Sequence, residues 1–204
     1  MRVEAWLGFF RGHPEKRLFS YTDLVNLTGE PTRSLSVQLS RMVASSIIRR
    51  PAKGWYENPF SPPTSEEVAM VLRYPSYLSL EYALSAHGIL SQTVQTLTLV
   101  TIKLPYTVRT QGVVYEYHQI RKDLFWGFTT NGIINIADPE KAFLDFLYLR
   151  YLRGRRTSPD VRVLVDDLRL EALDVRRLRR YASVFGATMM AILTKLGLQD
   201  VPSL

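Results

Sequence analysis

The hydrophobic positions of the first 45 residues recur every three or four residues, which predicts three short helices. The first helix covers residues 3–10. The second follows Ser20, whose hydroxyl can cap the helix while the Asp23 carboxylate returns the bond. The third covers about residues 33–45, and its apolar positions form one stripe. That stripe consists of Leu35, Leu39, Met42 and Val43.

Two short apolar and aromatic runs follow the third helix and surround a Lys-Gly turn at residues 51–54. They predict a β-hairpin between residues 47–50 and 55–58. Three helices with a tight turn at residues 29–32 between the second and third, followed by a hairpin, have the element order of a winged helix-turn-helix. In that fold the third helix enters the DNA major groove and the hairpin lies along the phosphate backbone.

The outward face of the third helix and the predicted hairpin carry candidate DNA contacts. Arg33 and Arg41 can bond phosphates or guanine, Gln38 can bond adenine, and Val37 can touch a thymine methyl group. The full set of candidates is Arg33, Ser34, Val37, Gln38, Arg41, Arg49, Arg50 and Lys53. Two alternatives stay open, because exposed Ser and Arg residues are often only a solvated face, and winged helices also serve as protein-interaction modules.

Three prolines within residues 59–63 indicate a boundary between an N-terminal domain, residues 1–60, and a C-terminal domain, residues 65–204. Beyond it, Ser79 and Asp138 are each predicted to cap a helix, and Pro139 fits the first position of the second of these helices. Turn signals predict hairpins at residues 111–112 and 131–132. The fold class is therefore predicted as α+β, a winged helix-turn-helix followed by a mixed α/β domain with an antiparallel sheet and a helical tail.

Composition narrows the class of protein. The 204 residues include no cysteine, which excludes disulfides and cysteine-based metal sites. The net charge of +7 is distributed as +4 in residues 1–58, zero in 59–136 and +3 in 137–204, and it favours an anionic partner. Neither a signal peptide nor an apolar run long enough to span a membrane is visible, so we expect a cytoplasmic protein with no membrane partner.

The residues suited to catalysis are few. His87 closes a helix before Gly88, where it is expected to bond the last helix carbonyls. His118 has no nucleophile or second acid at a matching spacing, and the sequence contains no Gly-rich phosphate loop or metal-binding cluster. We therefore expect a protein that is not an enzyme, with no catalytic residue, metal or cofactor.

The C-terminal region contains two arginine clusters with alternative interpretations. The first could form a second phosphate-binding patch or a solvated helix end. The second, Arg176 to Arg180, fits the exposed face of an amphipathic helix. The members of the first cluster are Arg150, Arg153, Arg155 and Arg156.

Two segments resemble a known family. Residues 77–88, Tyr-Leu-Ser-Leu-Glu-Tyr-Ala-Leu-Ser-Ala-His-Gly, and residues 136–145, Ile-Ala-Asp-Pro-Glu-Lys-Ala-Phe-Leu-Asp, are similar to motifs of the AbiEi-family antitoxins. The resemblance extends over roughly residues 20–200. These antitoxins are regulators paired with nucleotidyltransferase-like toxins in abortive-infection systems, which serve in phage defence.

The resemblance implies a DNA-binding antitoxin. Its winged helix would repress its own operon by binding double-stranded DNA at promoter repeats, and its C-terminal domain would counteract a nucleotidyltransferase-like toxin. The alternatives are a winged-helix transcription regulator with no toxin partner and a winged-helix protein-interaction module.

Overall fold

The computed structural model describes residues 1–153 and 160–198, and the chain divides into two compact units, Met1–Leu72 and Arg73–Leu204. The helices are α1 Val3–Arg11, α2 Tyr21–Thr28, α3 Thr32–Ala44, α4 Ser65–Leu72, α5 Leu80–Ala86, α6 Pro139–Phe146, α7 Val161–Leu164, α8 Val175–Phe185 and α9 Ala187–Lys195. The strands are β1 Leu18–Ser20, β2 Trp55–Glu57, β3 Ser76–Leu78, β4 Thr96–Thr101, β5 Tyr106–Thr110, β6 Val113–Gln119, β7 Phe128–Asn131 and β8 Ile134–Ala137.

The predicted helices of the first unit are all present. Ser20 and Asp23 form the predicted capping box at the start of α2, with the Asp23 amide 3.0 Å from the Ser20 hydroxyl and the Ser20 amide 2.8 Å from the Asp23 carboxylate. Gly29 ends α2 in the left-handed conformation, at φ +64°. The helices and the short sheet share one buried core, formed by Trp6, Phe10, Phe19, Leu24, Leu35, Leu39, Met42, Ile48 and Tyr56.

The predicted hairpin between residues 47–50 and 55–58 is wrong in its pairing. β2 pairs with β1 in antiparallel fashion, whereas residues 47–50 form no strand. Leu18 and Phe19 of β1 are both buried, so the pairing of β1 with β2 places two apolar side chains in the interior. Ile48 is drawn into the helical core instead, and residues 49–52 approach β2 through the Glu57 amide, 3.0 Å from the Arg49 carbonyl oxygen, and an Ala52–Trp55 bridge.

The second unit contains a six-stranded mixed sheet in the order β5-β6-β4-β3-β8-β7. The predicted hairpins β5–β6 and β7–β8 are antiparallel, but β3 runs parallel to β8 and β4 runs parallel to β6. The expected antiparallel sheet is therefore wrong. Turn residues determine which consecutive strands form hairpins, whereas the parallel pairs join strands that are distant in the sequence.

Helices α5, α6, α8 and α9 pack around the main core of the second unit, which also includes Tyr77 and Val100 of the sheet. After α6 the chain continues through a π-helical turn at Leu147–Leu152. None of the described helices is long and apolar enough to cross a membrane.

Two predicted helix caps are replaced by contacts with distant residues. The Ser79 hydroxyl does not cap α5; it donates to the Asp145 carboxylate at 2.9 Å. Asp138 does occupy the position before α6, with Pro139 next, but its carboxylate accepts a bond from the Tyr181 hydroxyl at 3.0 Å. In both cases a partner brought close by the tertiary fold replaces the local backbone amide.

Candidate nucleic-acid interface

Helix α3 separates its buried and exposed residues as the apolar stripe requires. Leu35, Leu39 and Met42 are at most 3% exposed and hold the helix in the core of the first unit. The opposite face is open to solvent and carries two arginines, small hydroxyl side chains and one exposed valine. These residues are Arg33, Ser34, Val37, Ser40 and Arg41.

The positive charges on the exposed face of α3 and on the loop before β2 have few partners within the unit. Arg33, Arg41 and Lys53 form no ion pair with any described residue, so their charges remain available to an anion in solution. Arg49, Arg50 and Lys53 are exposed on the loop that precedes β2. The Arg50 guanidinium lies 5.8 Å from the centre of the Tyr56 ring, within reach of a cation–π interaction.

A cavity of about 260 Å³ separates the loop from α3, lined by Ser40, Val43, Ala44, Arg50 and Tyr56. Of the positive side chains on the helix and the loop, Arg50 is the one that lines this depression.

Gln38 occupies a different environment from the other predicted DNA contacts. Its carbonyl oxygen accepts a bond from the Trp6 indole at 2.7 Å, and its amide nitrogen donates to Glu30 and Ser34, each at 2.8 Å. These bonds connect α3 to α1 and to the turn between α2 and α3. A contact between Gln38 and adenine would first have to break them.

The two segments that resemble AbiEi antitoxins meet in the core of the second unit. Tyr77, Ser79, Lys141 and Asp145 are all fully buried. The Lys141 ammonium forms an ion pair with Asp145 and donates to the Tyr77 hydroxyl at 2.8 Å. The Tyr77 and Ser79 hydroxyls each donate to the second Asp145 oxygen at 2.9 Å. We call these four residues the buried quartet.

Burial dominates the electrostatics of the quartet. It raises the pKa of the Asp145 carboxyl and lowers the pKa of the Lys141 ammonium group, while the attraction between the two charges opposes both shifts. Burial, followed by the negative charge of Asp145, also raises the pKa of Tyr77. This quartet is not predicted from the sequence, although a Lys and an Asp four residues apart on an otherwise apolar helix are a detectable signal.

The first C-terminal arginine cluster is partly engaged in the fold. Arg150 forms a two-bond ion pair with Glu81, with nitrogen–oxygen distances of 2.7 and 3.0 Å. Arg153 is exposed, and it donates to the Gln119 carbonyl at 3.3 Å. Arg155 and Arg156 lie outside the described residues. Of this cluster the described structure therefore leaves only Arg153 turned toward solvent.

The two histidines considered for catalysis have contacts within the second unit. The His87 ring Nε2 lies 2.8 Å from the Ala137 carbonyl oxygen, outside its own helix, and only the His87 backbone amide bonds a carbonyl of that helix, that of Ala83 at 2.9 Å. His118 lies 3.6 Å from Glu116, and burial, followed by the nearby Arg150 charge, lowers its pKa. Among residues 1–153 and 160–198, no three acidic or histidine side chains are grouped to hold a metal ion.

No protein-family model matches the chain, and no curated protein sequence matches it.

Proposed function

We propose that the protein is a DNA-binding antitoxin of the AbiEi kind, which represses its own operon and counteracts a nucleotidyltransferase-like toxin. In this proposal the first unit is a winged helix-turn-helix. Helix α3 reads the major groove, and the loop at residues 49–53 follows the phosphate backbone.

The main support for DNA binding is the unpaired positive charge on the exposed face of α3. Arg33 and Arg41 lie one above the other along this face, with Val37 between them. Arginines can bond guanine edges or phosphates, and an exposed valine can contact a thymine methyl group. The buried side chains on the opposite face hold the helix in place, so the exposed arginines and valine can contact a DNA groove without a change of the helix.

Binding to the DNA upstream of the protein's own gene tests this half. The double variant R33A/R41A should weaken the complex by at least about thirtyfold, since two arginine contacts of about 1–3 kcal/mol each sum to about 2–6 kcal/mol. The matched control is R11A, because Arg11 is also exposed but lies at the far end of α1. Equal affinity of R33A/R41A and wild type would refute the role of α3.

The antitoxin half rests on the two motif segments in the second unit. Their polar residues form the buried quartet, which supports a role in the architecture of that unit rather than in direct contact with a toxin. The test is co-expression of the full chain with the product of the adjacent gene. R33A/R41A should still protect cells from that toxin while failing to repress the promoter. Loss of protection by this variant, with normal folding, would refute the division of labour.

A protein-interaction role for the first unit remains the second candidate, because Leu27 and Val37 are 50% and 47% exposed. Salt dependence distinguishes the two, since DNA binding through phosphates weakens steeply as salt rises. An affinity for DNA that is flat across salt concentrations would favour the interaction module. An adjacent gene without nucleotidyltransferase motifs would favour a regulator that has no toxin partner.

A further inference from the structure

The first unit contains a second cavity, on the side of α3 that faces away from the 49–53 loop. Its volume is about 360 Å³, and it lies between the first turn of α1, the C-terminal half of α3 and the segment that follows α3. Val3, Trp6, Met42 and Ile47 supply its apolar lining. Arg2 and Arg41 line the same cavity and are exposed at its surface.

The two arginines give this cavity its charge. Neither Arg2 nor Arg41 has an ion pair with a described residue, while Glu4 on the lining contributes one negative charge. Two other polar lining groups are already bonded: the Met1 ammonium to Glu30 and Gln38, each at 2.7 Å, and the Gln38 amide also to Trp6, Glu30 and Ser34. The free chemistry of the cavity is therefore a pair of guanidinium groups above an apolar floor, which fits a small anion that is attached to an apolar body.

The position of the cavity indicates which anion this is. The exposed face of α3 lies between two depressions, one containing Arg50 and the other containing Arg2 and Arg41. A helix seated in a major groove about 12 Å wide has one sugar–phosphate strand on each side. Arginines on both flanks of α3 match these two strands.

We propose that the cavity between α1 and α3 holds a phosphodiester of bound DNA, with Arg2 and Arg41 contacting the phosphate and the apolar lining contacting the deoxyribose. This inference rests on the proposed DNA-binding function and adds to it a second backbone contact, on the strand opposite the 49–53 loop. Arg2 is the new residue in the interface. Glu4 opposes the phosphate and weakens the contact.

Charge substitutions test the proposal by fluorescence anisotropy on the upstream duplex, between about 50 and 200 mM salt. R2Q should weaken binding about five- to tenfold and lower the slope of log affinity against log salt by about 0.9, because one phosphate contact is lost. E4Q should strengthen binding about two- to threefold. R11Q is the matched control on the same helix and should leave both affinity and slope unchanged.

Neutral phosphates locate the contact independently. Methylphosphonate is placed at each backbone position of the duplex in turn. A methylphosphonate at one backbone position should weaken wild-type binding. The same substitution should leave R2Q binding unchanged, because the phosphate contact is already absent in that variant. This readout compares two duplexes on the same protein, so a change in the stability of R2Q does not affect it.

The outcomes separate the two proposals. If wild type fails to bind DNA, both the proposed function and this inference are refuted. If wild type binds and R33A/R41A weakens the complex, but R2Q matches wild type in affinity, in salt slope and at every neutral phosphate, only this inference is wrong.

Discussion

The variant Lys141→Met tests how far the buried quartet stabilises the second unit. Removing the ammonium group leaves the Asp145 carboxylate fully buried, with only the Tyr77 and Ser79 hydroxyls bonded to it at 2.9 Å. Methionine fills similar space beside the rings of Trp126 and Phe185, which lie 5.4 and 5.3 Å from the ammonium nitrogen. An unpaired buried charge costs about 3–5 kcal/mol, a large part of a typical stability of about 5–15 kcal/mol.

The free energy of unfolding in urea, followed by circular dichroism, measures this loss. Hydrogen exchange of residues 76–79 and 139–146 assigns it to the second unit, because the two units can unfold separately. Lys103→Met is the matched control. Lys103 is exposed, so that variant should stay within about 0.5 kcal/mol of wild type.

The pH dependence gives a second test of the same variant. Burial already raises the pKa of Asp145, and loss of Lys141 removes the attraction that opposes this shift. Above about pH 3.9 the Asp145 carboxyl of the unfolded chain loses its proton, whereas the folded variant keeps this proton up to the raised pKa. The stability of Lys141→Met therefore falls as the pH rises from about 3.9 toward that pKa. The deficit should therefore shrink in acid. A loss below about 1 kcal/mol, or a deficit equal at pH 4 and pH 7, would show that Lys141 does not stabilise the buried Asp145 carboxylate.

Four further substitutions test other parts of the structure. Gly127→Ala should cost about 2–3 kcal/mol, because φ is +72° and the new Cβ would lie 2.9 Å from Cγ of the buried lysine. Gly132→Ala, at φ +63° with open space, should cost only about 1 kcal/mol. Asn58→Ala should cost about 2–3 kcal/mol, since the buried Asn58 amide donates to three backbone carbonyls at 2.9–3.1 Å. Arg150→Gln should raise the pKa of His118, measured by NMR titration, because the Arg150 charge lowers it. The lowered pKa makes the folded protein less stable as the pH falls below about 6.5, and the variant should lose less stability in that range.

Each of these has a result that contradicts it. Equal costs for the two glycine variants would show that the lysine side chain moves aside. An Asn58→Ala variant as stable as wild type would mean that water replaces the amide. A lower or unchanged pKa of His118 would mean that the Arg150 charge does not lower it, and that burial alone accounts for the low pKa of this ring.

Local signals in the sequence predict local structure well. The Ser20–Asp23 capping box is present as predicted, since both partners lie within one helical turn. The β5–β6 hairpin also forms as predicted, because Gln111 and Gly112 both take positive φ values, 52° and 79°. The apolar stripe of α3 correctly identifies which side of that helix is buried.

The remaining features depend on contacts between distant residues. The two parallel strand pairs have no short turn to reveal them. Gln38 lies at the edge of the exposed face of α3, and only the folded unit brings Trp6 and Glu30 to its amide. Ser79 looks like a cap in the sequence because its partner, Asp145, is 66 residues away.

The salt dependence of binding to the DNA upstream of the gene tests most directly whether α3 is the DNA-binding surface. We predict specific binding of the wild-type chain, an affinity that falls steeply between about 50 and 200 mM salt, and a slope lower by about two for R33A/R41A if both arginines bind phosphates. An affinity that does not change with salt, or an R33A/R41A complex indistinguishable from wild type, would contradict the claim that α3 of the first unit is the DNA-binding surface.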